Sequence, residues 1–135
     1  MIAENLAYAL VQVLHNLGAA LVLGAALAAL WPGHLGDTRG LARLQTGAWA
    51  LQALTGAGLG AVSFYFYGRF PEITVLARIA LGMEIAAAFF GVGLGVFYLR
   101  TFATWAEAGR RRAWRIQAAL AAIALTAAAF LRWFS

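Results

Sequence analysis

The 135-residue chain has no cysteine and no lysine, and only two prolines, two histidines, two methionines and five acidic residues. The missing cysteine excludes disulfides, Cys-ligated zinc, iron–sulfur clusters and a thiol nucleophile. Charged residues make up only 11% of the chain, against 64% hydrophobic. A soluble domain is about a quarter charged, and a chain this short has too much surface for its volume to bury so many apolar side chains. No nucleophile–base pair or metal-hydrolase motif is present, so an enzyme is not predicted. Gly91-Val92-Gly93-Leu94-Gly95 is no nucleotide loop, because it lies inside an apolar run with no strand before it.

What remains is a membrane protein. A bilayer core takes about 20 mostly apolar residues per helix, and four such runs are present, at about Leu6–Trp31, Thr46–Tyr67, Ile73–Leu99 and Ala113–Phe134. Pro32-Gly33 ends the first; Gly68 and then Pro71 end the second. The short loops make consecutive helices antiparallel neighbours. The prediction is a single all-α domain over residues 1–135, an integral membrane antiparallel four-helix bundle. The first run is read as an uncleaved helix: the segment before it carries Glu4 and no basic residue, and the run is too long for a signal-peptide core.

All ten basic residues are Arg. Arg39, Arg43, Arg100, Arg110, Arg111, Arg112 and Arg115 fall in the first and third loops, and Arg69, Arg78 and Arg132 at the opposite end. Cationic loops stay cytoplasmic, so both termini are expected to face out. Phe64 to Tyr67 and Trp133 then form the outer aromatic belt, and Trp31, Trp105 and Trp114 mark the inner interface. The net charge of +5 is thus a topology signal, compatible with anionic lipid and not with a nucleic-acid partner.

Ionisable groups at bilayer depth cost at least about 2.5 kcal/mol for an acid on insertion scales. His15 lies mid-way along the first run and Glu84 mid-way along the third. His15 is 11 residues past Glu4, and Glu84 is 12 past Glu72, so the two share a depth. Tyr8, Gln12, His15 and Ala19 make one helical stripe with Asn16 beside it; Ala80, Glu84, Ala87, Gly91 and Gly95 make another. Gln52 and Thr55 on the second run reach the same level. The expected buried cluster is therefore His15 and Glu84 supported by Gln12, Asn16, Gln52 and Thr55, acting as a packing device or as a metal, cofactor or proton site. Met83 beside Glu84 adds a thioether, which with imidazole suits Cu(I). Haem b is the alternative cofactor. His34, read as a solvated loop residue, is 19 residues from His15 and too far along a helix to clamp the same haem. Gly56-xxx-Gly60 and Gly91-xxx-Gly95 are small-xxx-small motifs suited to close helix approach.

Leu14 to Gly24, the Leu41-Ala42-Arg43-Leu44 lead into Leu54-Thr55-Gly56, and Leu76-Ala77-Arg78-Ile79-Ala80 together resemble the helices of CopD-like domains, the membrane part of copper resistance protein D and its relatives. The resemblance covers most of the chain. It implies a bacterial inner-membrane protein of copper handling or transport, with both termini periplasmic and His15 as the family's first-helix His; in this reading His15 is the metal ligand and Met83 or Glu84 assists. The chain has only four helices and little Met, which points to a homo-oligomer or a subunit of a larger membrane complex. The readings that stand beside copper handling are an accessory subunit without its own ligand and a haem-binding electron-transfer subunit.

Overall fold

The computed structural model describes residues 2–32 and 37–135. Four long helices, α1 (Ile2–Leu30), α2 (Arg39–Tyr67), α3 (Val75–Thr101) and α4 (Glu107–Phe134), form an antiparallel bundle, with one 3-10 turn at Phe102–Thr104 before α4. Consecutive helices pack on one another, and α1 closes the ring against α4. His34 lies outside the described residues.

Helix ends follow local chemistry. Gly68 ends α2 in the left-handed conformation, φ 68°, with its N–H donating to the Phe64 carbonyl at 2.9 Å; a side chain there would be strained. Thr74 caps α3, its hydroxyl accepting from Ala77 N at 3.2 Å and donating to the Phe134 carbonyl at 2.6 Å. One residue thus starts α3 and ties it to the end of α4. The Tyr67 hydroxyl donates to the Glu4 carboxylate, joining the end of α2 to the start of α1. Helices α1, α2 and α4 begin about 4 to 7 residues earlier than their apolar runs, because backbone hydrogen bonding continues into the polar turns beyond them.

The bundle is built from small residues inside and large apolar ones outside. Of the 17 buried hydrophobic residues among those described, 13 are Ala and none is Leu. Leu10, Leu17, Leu54, Ile85, Phe89 and Phe90 all point outward. In water this arrangement forfeits the main driving force of folding; in lipid an outward Leu costs nothing and small residues let helices close up. Three helices, α1, α3 with its 3-10 turn, and α4, are long and apolar enough to cross a membrane. Helix α2 is less apolar because its inward face carries Gln45, Gln52, Thr55 and Ser63, all buried.

The glycines on α3 divide by face. Gly82 and Gly93 face open space. Gly91 and Gly95 receive the Trp49 indole and the Thr46 side chain of α2, so this motif does serve a helix seam. Gly56 and Gly60 do not bring α2 against another helix's small residues: Gly56 makes room for the His15 ring and Gly60 for Phe70. Of the tryptophans expected at the inner interface, Trp31 is exposed, whereas Trp114 is buried. Its N–H has found partners inside, 3.2 Å from the Tyr98 hydroxyl and 3.3 Å from that of Thr38.

Candidate functional site

His15 and Glu84 sit on diagonally opposed helices, and the structure brings them together across the bundle axis. His15 Nε2 is 3.1 Å from Glu84 Oε1, with side chains 11% and 15% exposed. Helix α1 points the imidazole inward because its flanks, Leu14 and Leu17, face out. Ala80 and Ala87, one turn either side of Glu84, are buried, so the carboxyl enters on the stripe of small residues.

The other ring nitrogen, Nδ1, is 2.9 Å from the Thr55 hydroxyl, which lies 2.6 Å from the Leu51 carbonyl. A hydroxyl has one hydrogen. With it given to Leu51, Thr55 accepts from Nδ1–H. The Gln52 amide lies against the same ring. With its nitrogen turned toward His15 it is 2.7 Å from Nδ1 and 3.1 Å from the His15 carbonyl, and its oxygen accepts from Ala19 N at 3.1 Å. Thr55 therefore favours the tautomer protonated on Nδ1, and Gln52 the one protonated on Nε2. In the tautomer protonated on Nε2 the ring donates to Glu84 Oε1; in the other, Nε2 is a free lone pair facing the carboxyl group.

The expected supporting residues divide. Thr55 and Gln52 join the cluster. Gln12 and Asn16 do not reach it: Gln12 Nε2 donates to Asn16 Oδ1 at 2.9 Å along the outer flank of α1. Met83 is 48% exposed on the outward side of α3, because its position is turned about 100° from Glu84. Among the described residues no three His, Asp or Glu side chains converge as a metal cage. Among the described residues, His15 and Glu84 are the His, Asp or Glu side chains that meet here.

Below the pair lies a layer that the sequence reading missed. Trp49 Nε1–H donates to Gln117 Oε1 at 2.8 Å, and Gln117 Nε2 donates to the Gly91 carbonyl at 2.9 Å. Gln45 Nε2 donates to the Val22 carbonyl at 2.7 Å. Trp49 and Val22 are fully buried. One turn-pair further, Thr38, Tyr98 and Trp114 form a third polar group, with the two hydroxyls 2.6 Å apart. Among the described residues no buried side-chain nitrogen or oxygen lacks a partner. The signal available was the spacing of Gln45, Trp49, Gln52 and Thr55, which is one helical face, and the lone amide of Gln117 in an apolar run.

Compared with protein-family models, curated proteins and solved structures, the chain matches none.

Proposed function

We propose that this chain is a multi-pass membrane protein whose working group is the His15–Glu84 pair, a buried site for one exchangeable proton that Cu(I) displaces from His15 Nε2. The observation that carries this reading is the 3.1 Å approach of His15 Nε2 to Glu84 Oε1 inside the bundle, with Thr55 and Gln52 as partners for either ring tautomer. Exchange of H⁺ for Cu⁺ leaves the charge of the site unchanged, and neutral imidazole is a good ligand for a soft cation. The CopD-like resemblance supplies the copper setting. Two ligands from one chain support a homo-oligomer or a larger membrane complex as the working form.

In this reading α2 is the fourth spanning helix, since its polar side chains are turned inward and satisfied. The Arg-rich loops face the cytoplasm of a bacterial inner membrane, with both termini periplasmic.

Anaerobic Cu(I) titration of detergent-purified protein against a competing chelator, with proton release recorded, tests the site. The expected result is bound copper with proton release, both lost in His15→Ala, while Glu84→Gln retains copper with altered pH dependence. Wild-type protein that binds no Cu(I), with both substitutions only lowering thermal stability, replaces this reading with that of an accessory subunit in which the pair joins helices. A Soret band in the purified protein replaces it with haem.

A further inference from the structure

At the end of the bundle opposite the termini, two cations share one aromatic ring. Arg39 from the start of α2 and Arg110 from the start of α4 place their guanidinium carbons 5.2 and 4.8 Å from the centre of the Phe102 ring. Asp37 neutralises only Arg39, at 2.8 Å. Arg110 has no acidic partner among the described residues, and neither have Arg43, Arg100, Arg111, Arg112 and Arg115 at the same end. The acids there are Asp37 and Glu107, so the whole net charge of +5 is concentrated at this end. Each cation is favoured by the ring face, yet the two repel one another. Two guanidiniums gathered at one ring make a surface complementary to an anionic group.

We infer that Arg39, Arg110 and Phe102 form a headgroup site for an anionic phospholipid. The surface around the site selects this partner over a nucleic acid. Leu44, Phe97 and Ile116, on the same ends of the helices, are exposed and apolar, and Trp105 packs edge-on to Phe97 with ring centres 5.6 Å apart. A ligand that fits has a negative head for the guanidiniums and hydrocarbon for the helix sides. A phospholipid has both; a polynucleotide has only the first. The site rests on the membrane placement proposed above and is independent of what His15 and Glu84 bind.

The test is native mass spectrometry of the full chain in mild detergent, with phosphatidylglycerol or phosphatidylcholine added. Wild-type protein is expected to retain phosphatidylglycerol selectively, and more weakly as salt rises. Arg39→Gln and Arg110→Gln are each expected to weaken retention about fivefold. Arg69→Gln and Arg132→Gln, at the other end, leave it unchanged; circular dichroism confirms that the variants remain helical. Equal retention of both lipids, no loss in the Arg39 and Arg110 variants, or displacement of lipid by a short oligonucleotide overturns the proposal. Recovery of the chain outside alkaline-washed membranes sinks the membrane placement itself; failed lipid selectivity in a membrane-bound chain sinks only the headgroup site.

Discussion

Replacing Gly91 by alanine puts a methyl group into the Trp49 indole. The added carbon lies 2.6 Å from Trp49 Cδ2, about 1 Å inside ordinary van der Waals contact. The indole has little freedom to yield: Trp49 is fully buried, and its N–H is held by Gln117 at 2.8 Å. Overpacking of this kind costs about 1–3 kcal/mol. A further ~1–3 kcal/mol is lost if the ring moves off Gln117 and leaves the amide unpaired. Alanine's better helix propensity returns up to about 1 kcal/mol. With the ring driven off Gln117, the net expectation is a loss of about 1–5 kcal/mol, read as a lower midpoint of unfolding in detergent. Gly95→Ala runs into the Thr46 hydroxyl, with Thr46 Cβ at 3.2 Å; that hydroxyl can rotate away only by giving up its hydrogen bond to the Ala42 carbonyl, a loss of about 1 kcal/mol confined to one small side chain, so the cost is expected to be smaller than at Gly91. Gly93→Ala has nothing within 4 Å and is expected to be neutral or stabilising by up to ~1 kcal/mol. Gly91→Ala as stable as Gly93→Ala refutes the account of the Trp49–Gln117–Gly91 layer.

Three other outcomes are expected. A double-mutant cycle of His15→Ala and Glu84→Ala, followed by unfolding in detergent, is expected to give a coupling of about 0.5–3 kcal/mol; additive effects mean that the two side chains do not meet. The Asp37 carboxyl is held down from 3.8 to about 2, chiefly by its side-chain hydrogen bond with Arg39 and then by the Arg39 backbone N–H. Its contribution to anchoring the start of α2 is therefore complete above about pH 4 and disappears as pH falls through about 2. Arg39→Gln is expected to return the carboxyl toward its ordinary range in a carbon-detected NMR titration, and an unchanged midpoint argues against the contact. Cysteine placed at position 3 is expected to react with an impermeant reagent from the periplasm and cysteine at position 109 not to; the reverse labelling inverts the proposed orientation.

Composition and period alone determined the all-α bundle, because 64% hydrophobic residues in 135 leave no water-soluble solution and four long apolar runs leave little choice of topology. They also placed His15 and Glu84 at one depth, since residues on helices running the same way are ruled off at equal rise per residue. Depth and face sufficed there because both side chains sit on inward stripes. Face failed for Met83, whose neighbour on the chain points inward while it points out, and for Gln12 and Asn16, which pair with each other along α1. Only the tertiary structure decided these, because a helical stripe is about 100° wide and a residue at its margin is turned in or out by the neighbouring helices. Tertiary packing likewise decided that Trp49 threads across the bundle to Gln117 and that Trp114 turns inward to Tyr98 and Thr38. A tryptophan at a helix end satisfies its N–H equally well at a membrane interface or on a buried hydroxyl, and which one it finds depends on the distance to partners 68 or 76 positions away in the chain.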